Sequence, residues 1–427
     1  MKQTGKQKKF LAGALLTLLL LVGCGSAAND SAAQKKTDVT QETTAQETAA
    51  QETATGQTAA QQTEQETSAP EAAQTEEEDL TAGLSLKELF AQHGMKVGTC
   101  LSTYEINRNS INQVIQEQFN SVTMGNDMKP DYILDQKESQ KQGQLVVNFN
   151  QDAMMMLYWA KQNHFSLRGH TLVWYSQTPE WLFHEGFDEK NGYVGREELL
   201  ARMESMIRQV FEKLEEMGYL DLFYAYDVVN EAWMEDGTMR QNHWSEIIGE
   251  DYLWYAFYYA DQYAPETIDL YYNDYNEQFK AQTISDFVRT LVDEDGRSLI
   301  DGIGLQAHLY TSDDLETYFE AVETLGKTGL KLQVTELDVC LGQYQMPGAP
   351  TDENLRKQGL FYYDLIRGLL ERVDAGVIKM DALTFWGLSD AQSWRREYSP
   401  MLFDFAMKPK YAYFGAAQNM EKAGFAR

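Results

Sequence analysis

The feature that most constrains this chain is a regular alternation of short apolar runs with longer amphipathic runs, which begins near Leu84 and continues almost to the C-terminus. The apolar runs predict eight strands, at residues 95–101, 119–126, 166–174, 222–231, 269–275, 300–309, 330–339 and 382–388. The clearest helical patterns lie at residues 109–118, 153–163, 196–217, 277–292, 314–325 and 353–372. Strands that alternate with helices form parallel sheets, and eight such units close into a barrel. We therefore predict an α/β fold over residues 84–427, a (β/α)8 TIM barrel preceded by a signal peptide and a disordered linker.

The first 23 residues are typical of a segment that directs export. Four lysines precede a run of mostly apolar residues at 10–22. This run is too short to span a bilayer but has the length of a signal-peptide core. Residues 21–24, Leu-Val-Gly-Cys, resemble the lipobox of bacterial lipoproteins. That resemblance implies that residues 1–23 are a lipoprotein signal peptide and that Cys24 becomes the lipid-modified N-terminus after cleavage.

Residues 24–83 have the composition of a disordered, Gln/Glu/Thr-rich linker. The tripeptide Gln-Glu-Thr recurs four times between residues 41 and 67, and the whole segment contains no aromatic residue. Such a segment cannot offset its ordering entropy by burying apolar surface. We expect it to hold the folded domain away from a membrane.

The charge and the cysteine content limit the possible partners. With 36 Lys and Arg against 65 Asp and Glu, the chain carries a net charge of −29. It would repel phosphate groups, so we expect no nucleic-acid partner. Two cysteines beyond residue 24 exclude a disulfide-stapled scaffold. Because Cys100 and Cys340 end predicted strands that lie two apart in the closed sheet, we expect free thiols.

Polar and aromatic residues collect at the C-terminal ends of the predicted strands, where barrels of this kind carry their active sites. The set is Asn126, Lys129, His170, Trp174, Asn230, Glu231, Gln306, His308, Glu336, Asp338, Trp386 and Trp394. It contains no His-x-His or His-Glu-x-x-His pair, and the chain has no phosphate-binding Gly-rich loop and no Gly-x-Ser-x-Gly turn. We therefore expect no metal site and no cofactor.

Two glutamates in this set suggest a chemistry. Glu231 ends strand four and Glu336 lies in strand seven, so the two side chains could face each other across the barrel mouth. Glycoside cleavage needs two carboxyl groups, one that protonates the leaving oxygen and one that attacks the anomeric carbon or activates water. His308 and Gln306 would favour the ionised form of Glu336. Each residue alone would more often be structural, and only the combination indicates catalysis.

Six motifs fall in order along the barrel. They are Arg-Gly-His-Thr-Leu-Val-Trp at 168–174, Asp-Val-Val-Asn-Glu at 227–231, Tyr-Tyr-Asn-Asp-Tyr-Asn at 271–276, Gly-Ile-Gly-Leu-Gln-Ala-His at 302–308, Thr-Glu-Leu-Asp at 335–338 and Phe-Trp-Gly-Leu-Ser-Asp at 385–390 with Ser-Trp-Arg at 393–395. Together they resemble the family-ten glycoside hydrolases, the endo-β-1,4-xylanases, from about residue 84 to residue 425. The resemblance implies retaining, double-displacement hydrolysis of internal β-1,4-xylosidic bonds of xylan.

The resemblance also implies roles for the residues of the set. Glu231 would be the acid/base and Glu336 the nucleophile, with carboxyl groups about 5–5.5 Å apart, as retaining enzymes require. His308, supported by Asp338, would hold the orientation and charge of the nucleophile, and Gln306 belongs to the same polar cluster. Sugar hydroxyls would be bound by Asn126, Lys129, His170 and Asn230. The sugar rings would be held by Trp174, Trp386 and Trp394.

Four positions depart from the pattern of that family. Gly125 stands where the family usually has a Glu that binds the glycone sugar, and Pro130 stands where an aromatic residue often follows the Lys. Tyr175 replaces a frequent His, and Tyr226 replaces a frequent Trp. None of these changes removes a carboxylate, so we expect them to affect fine specificity.

The sequence leaves two other functions open. One is the same chemistry on another β-glycan, such as cellulose or mixed-linkage glucan. The other is a surface lipoprotein that binds glycans without cutting them. If the chain is instead the xylanase that the motifs imply, we expect its ligands to be xylan and xylo-oligosaccharides. We also expect a monomer that is anchored through Cys24 to the extracellular face of a bacterial cell membrane.

Overall fold

The computed structural model describes residue 81 and residues 83–424. The predicted signal peptide, the lipidation site Cys24 and all of the predicted linker except residues 81 and 83 lie outside this part of the chain. Among the described residues, no helix combines the length and the apolar character that crossing a membrane would require.

The strands are β1 (Lys96–Leu101), β2 (Ser121–Met124), β3 (Ser166–Gly169), β4 (Phe223–Asn230), β5 (Asp269–Asp274), β6 (Gly302–Leu305), β7 (His308–Tyr310), β8 (Lys331–Cys340), β9 (Gly342–Gln343), β10 (Met346–Pro347) and β11 (Met380–Phe385). Parallel strands form a closed sheet in the order β11-β1-β2-β3-β4-β5-β6-β8, and β8 pairs with β11 to complete the circle. β7 continues the position of β6 and also pairs with β8, so the barrel has eight positions. The two-stranded hairpin β9–β10 follows β8.

Helices cover the outside of the barrel and fill the loops at its ends. They are α1 (Leu86–Ala91), α2 (Thr103–Ile106), α3 (Asn109–Gln118), α4 (Pro130–Ile133), α5 (Gln136–Gln142), α6 (Gln151–Gln162), α7 (Arg196–Glu216), α8 (His243–Ile247), α9 (Tyr252–Tyr263), α10 (Glu277–Val288), α11 (Leu315–Gly326), α12 (Asp352–Asp374) and α13 (Tyr411–Ala416). Short 3-10 turns lie at Glu180–Phe183, Glu185–Phe187, Leu220–Leu222, Arg396–Tyr398 and Met420–Ala423. The fold is therefore the predicted (β/α)8 barrel.

Periodicity explains why these segments fold as they do. In α7 the buried residues Leu199, Met203, Met206 and Val210 recur every three or four positions, so one face of the helix packs on the sheet. In β8 every residue after the first is buried. Such a strand is covered on both faces, by helices outside and by side chains inside the barrel.

The observed strands differ from the predicted ones mainly at the C-terminal ends. The prediction of one strand over residues 300–309 is wrong, because Ala307 adopts a left-handed conformation with φ 56° that separates β6 from β7. The strand predicted at 166–174 ends at Gly169, and only an isolated bridge between Val173 and Val229 prolongs the pairing. The patterns also missed α9, which is aromatic on nearly all sides.

Both cysteines in the described part of the chain are free, as predicted. Cys100 lies in β1 and Cys340 ends β8, and β11 separates these two strands. Burial raises the pKa of both thiols well above the ordinary value, so each is held in its neutral form.

Candidate active site

The C-terminal ends of β4 and β8 hold the two glutamates that the sequence singled out. Glu231 directly follows β4 and has a left-handed backbone with φ 57°. Glu336 lies inside β8, where the strand reaches the barrel mouth. Both side chains are buried, with residue exposures of 8% and 4%. The barrel therefore presents two carboxylates that bulk water barely reaches.

Neutral donors contact the carboxylate of Glu231. Its Oε1 accepts hydrogen bonds from Gln306 Nε2 at 2.9 Å and from Asn230 Nδ2 at 3.1 Å. Its Oε2 accepts a hydrogen bond from Trp174 Nε1 at 3.1 Å. Two amides and an indole thus fix both oxygens, and the backbone N–H of Glu231 donates to the Asn273 carbonyl oxygen at 2.9 Å.

The carboxylate of Glu336 contacts an ionisable partner as well as a neutral amide. His308 Nε2 lies 3.3 Å from its Oε2, and Asn273 Nδ2 donates to its Oε1 at 2.7 Å. Burial by itself would raise the pKa of Glu336. The hydrogen bond from His308 and the electrostatic effect of His170 outweigh burial and lower this pKa to about 2. Glu336 is therefore ionised at neutral pH.

A second layer of charge keeps His308 cationic. His308 Nδ1 lies 3.1 Å from Asp338 Oδ2. Burial would lower the pKa of His308, but the charge of Asp338 and the contact with Glu336 raise it to about 10. Asp338 in turn accepts a hydrogen bond from Arg395 Nη1 at 2.7 Å and one from Trp394 Nε1 at 3.2 Å. Asp338, which Arg395 and Trp394 hold in place, thus stabilises the positive charge on His308.

Side-chain amides connect the surroundings of the two carboxylates. Asn273 Nδ2 donates both to Glu336 Oε1 and, at 2.9 Å, to Asn230 Oδ1. Asn230 Nδ2 donates to Glu231, and Thr335 Oγ1 donates to Asn273 Oδ1 at 2.7 Å. Asn273 lies within the fifth-strand motif but was not among the predicted site residues. Its position across from β4 and β8 depends on the strand register, which the sequence alone does not reveal.

Asn126 and Lys129 lie together on the loop after β2, although the sequence predicted that the strand would include Asn126. Lys129 Nζ donates to Asn126 Oδ1 at 2.9 Å and to Gln177 Oε1 at 2.6 Å, and it lies 5.2 Å from the centre of the Trp174 ring. Burial lowers the pKa of Lys129, although Glu336 counteracts this effect by favouring the charged ammonium. Gln177 was not predicted, because it belongs to a loop without a recognisable pattern.

His170 lies at the end of β3 in the same mouth. Its Nδ1 is 2.8 Å from Asp227 Oδ2, and its ring centre is 5.4 Å from that of Trp386. Asp227 also accepts two hydrogen bonds from the buried guanidinium of Arg168. The sequence contained Arg168 and Asp227 within two motifs, but it did not reveal that they support His170.

A further group beside Glu231 was not foreseen. Arg240 Nε donates to the Glu231 carbonyl oxygen at 3.1 Å, and its Nη2 donates to the Tyr275 hydroxyl at 2.8 Å. The Arg240 guanidinium lies 4.3 Å from the centre of the Tyr175 ring. Burial, followed by the charge of Glu231, raises the pKa of the Tyr175 hydroxyl. Tyr175, one of the departures from the family pattern, thus lines the mouth beside Glu231.

The twelve predicted residues therefore gather at one end of the barrel. Of the three tryptophans in this set, Trp394 is the most exposed, at 58%, while Trp174 and Trp386 are half-buried. In the part of the chain that the structure describes, no group of three or more His, Cys, Asp or Glu side chains is arranged to hold a metal ion. The site consists of two carboxylates, their polar partners and an aromatic wall.

Comparison with known proteins bears on this site. The model of glycosyl hydrolase family 10 matches residues 85–419. The chain belongs to this family. The match covers the whole barrel and includes both glutamates.

Individual family 10 relatives agree with this assignment. A bifunctional endo-1,4-beta-xylanase from Ruminococcus flavefaciens is 37% identical over 339 residues, which cover 77% of this chain and 33% of the relative. Endo-1,4-beta-xylanase B from Butyrivibrio fibrisolvens is 35% identical over 345 residues, which cover 78% of this chain and 52% of the relative. The chain thus matches between a third and about half of the length of these two relatives.

A solved structure supports the fold independently. The family 10 barrel of this chain is similar to the crystal structure of the N-terminal modules of a Clostridium thermocellum endo-1,4-beta-D-xylanase in complex with xylohexaose. The TM-score is 0.71 and the identity is 31%, and the match covers 81% of this chain and 70% of the other.

Proposed function

We propose that this chain is an endo-1,4-β-xylanase that hydrolyses internal β-1,4-xylosidic bonds of xylan with retention of the anomeric configuration. The observation that carries the proposal is the unequal setting of two buried carboxylates at one barrel mouth. A cationic His308 holds Glu336 ionised, whereas neutral donors contact Glu231. Membership of family 10, whose relatives named above are xylanases, supports the substrate.

In the proposed reaction the two carboxyl groups act in two steps. Glu336 attacks the anomeric carbon and forms a covalent glycosyl-enzyme, while Glu231 gives its proton to the departing sugar oxygen. Glu231, now ionised, then takes a proton from a water molecule that attacks the same carbon and releases Glu336. Two displacements on one carbon restore the original configuration. This scheme predicts carboxyl groups about 5–5.5 Å apart.

The surrounding residues would hold the sugar chain. We propose that polar side chains in the mouth bind the hydroxyls on the glycone side of the bond that is cut, namely Asn126, Lys129, His170 and Asn230. We propose that three indoles pack against the sugar rings, namely Trp174, Trp386 and Trp394. Gln306 and His308, with Asp338 behind them, would hold the two carboxylates in place.

Initial rates on three polymers test the substrate assignment. We expect release of reducing sugar from xylan, and much slower release from soluble cellulose derivatives and mixed-linkage glucan. Proton NMR of the first product should show the β-anomer before mutarotation. A faster rate on glucan than on xylan would identify glucan as the substrate. Binding of xylan without any release of reducing sugar would identify a glycan-binding protein.

We also propose that the chain is a lipoprotein, anchored through Cys24 to the extracellular face of a bacterial membrane. The basic residues, the apolar run at 10–22 and the sequence Leu-Val-Gly-Cys support this proposal. In a bacterial host, the full chain should partition into the detergent phase and incorporate labelled fatty acid. C24A should abolish the labelling without affecting xylan hydrolysis, and persistent labelling of C24A would contradict the anchor.

We propose finally that the enzyme is a monomer. Light scattering on protein that lacks residues 1–24 would test this point, since the lipid anchor could cause aggregation by itself. A mass close to that of one chain is expected, and a dimer mass would contradict the proposal.

A further inference from the structure

A buried glutamate outside the pair of catalytic candidates touches the bend between β6 and β7. Glu277 is the first residue of α10 and is fully buried. Its Oε1 accepts a hydrogen bond from the Ala307 N–H at 3.1 Å. Burying a carboxyl group carries a large desolvation cost. That cost needs a structural or functional explanation.

The bend itself is an irregular piece of the barrel. Leu305 pairs with Val334 and His308 pairs with Asp338, so β8 has one more residue than the opposite strand over this stretch. Ala307 compensates with a left-handed conformation that a residue with a Cβ adopts only at a cost. The geometry of this strand takes its N–H away from the ladder, and the Glu277 side chain receives it instead.

The two neighbours of Ala307 are the partners of the two candidate catalytic carboxylates. Gln306 Nε2 donates to Glu231 Oε1 at 2.9 Å, and His308 Nε2 lies 3.3 Å from Glu336 Oε2. Because the three residues are consecutive, a change in the backbone of Ala307 moves both contacts together. The hydrogen bond to Glu277 therefore holds the residue that lies between the partner of Glu231 and the partner of Glu336.

We infer that Glu277 is a positioning residue whose side-chain oxygen fixes the bend at Ala307. This bend lets Gln306 contact Glu231 while His308 contacts Glu336. The inference rests on the proposed glycosidase function. It requires an acceptor oxygen of the right reach and does not require a charge.

The surroundings of Glu277 agree with a role that needs no charge. Burial raises the pKa of Glu277 to about 7. Its second oxygen, Oε2, has no hydrogen-bond partner among the described residues, and the same holds for the buried hydroxyl of Tyr318 on α11. Protonated and ionised Glu277 both keep Oε1 as an acceptor for the Ala307 N–H.

Two substitutions separate reach from charge. E277Q keeps the reach of the side chain and removes the charge, whereas E277D keeps the charge and withdraws the oxygens by about one C–C bond, ~1.5 Å. E316D, at an exposed position of α11, is the matched control for the shortening. The measured quantity is the rate of aryl β-xylobioside turnover per active site. Active sites are counted from the burst of phenol that a slow 2-fluoro analogue releases when it traps the glycosyl-enzyme.

We expect E277D to lose about tenfold in kcat per titrated site with little change in KM, since displaced catalytic groups slow the reaction more than they weaken binding. For E277Q and E316D, kcat per titrated site should stay within about twofold of the wild-type value. Loss of the acceptor for the Ala307 N–H would instead lower it about tenfold. A purely structural role for Glu277 would lower the titrated fraction and the melting temperature and leave kcat per site unchanged.

Other outcomes separate this inference from the function on which it rests. If E277D does not fold, the neutral pair E277N and E277Q repeats the comparison of reach without a buried charge. Equal kcat per site in the short and long variants, with an active wild type, would overturn the role of Glu277 alone. A wild type that cleaves no β-xyloside would overturn the proposed function and this inference with it.

Discussion

The β4 end and the β8 end of the barrel mouth hold the same functional group in opposite surroundings. At β8, Glu336 belongs to a row of alternating charges that continues through His308 to Asp338 and Arg395. At β4, the Glu231 carboxylate receives its hydrogen bonds from neutral groups. A pair of identical side chains can perform opposite tasks when their environments differ in this way.

Under the proposed mechanism, the surroundings of each carboxylate match its task. The proposed nucleophile, Glu336, must be ionised in the resting enzyme, and its contact with His308 favours that form. An acid/base must gain and lose a proton in every cycle, and neutral donors can contact either form. The amide of Asn273 joins the two surroundings, so the two carboxylates keep a fixed relation.

The largest expected effect comes from removing the charge at the β8 end. E336Q should lower kcat on an aryl β-xylobioside by ~10⁴-fold or more, because the proposed mechanism needs the Glu336 carboxylate to form the glycosyl-enzyme. Stopped assays with purified protein measure the loss, and circular dichroism verifies the fold. E353Q, at an exposed glutamate on α12, is the matched control and should keep full activity. Near-normal turnover by E336Q would remove Glu336 from the mechanism.

Removing the carboxylate at the β4 end should have an effect that depends on the substrate. E231A should lower the rate on xylan by ~10³-fold, since the sugar alkoxide needs a proton to leave. An aryl xylobioside with an acidic phenol needs little assistance in the first step, so its burst of phenol should remain fast. Comparing xylan rates with burst rates measures the difference. Equal losses in both assays would contradict the assignment of Glu231 as the acid.

A smaller change tests the row of charges at β8 directly. H308Q keeps a donor near Glu336 but removes the positive charge. Burial raises the pKa of Glu336, but the hydrogen bond from His308, the electrostatic effect of His170 and the charge of His308 together lower it to about 2. Without the His308 charge this pKa should rise. Below the new pKa the nucleophile is protonated, so the acid limb of the pH profile of kcat/KM should move to higher pH. A shift of one unit corresponds to tenfold less activity on that limb. An unmoved acid limb would indicate that another group ionises Glu336.

The sequence predicted the barrel and the composition of its mouth because both depend on patterns that one chain displays. Strand and helix periodicity is local, and residues at the ends of parallel strands must share an edge. The bends were not predictable, since Glu231 and Ala307 take left-handed conformations without being glycine. Asn273 and Arg395 were not predicted as site residues for another reason. Their partners come from distant strands, and only the register brings them within hydrogen-bond distance.

The smallest effect that we predict concerns the aromatic wall beside the β8 end. Trp394 is 58% exposed, so its removal should affect substrate binding more than the chemistry, even though its indole donates to Asp338. W394A should raise KM for xylo-oligosaccharides about fivefold, equivalent to about 1 kcal/mol of lost stacking, with kcat nearly unchanged. W254A, on outer helix α9, is the control and should leave KM unaltered. A large loss of kcat in W394A would show instead that the hydrogen bond to Asp338 sustains the charge on His308, and would tie this tryptophan to the nucleophile rather than to the sugar.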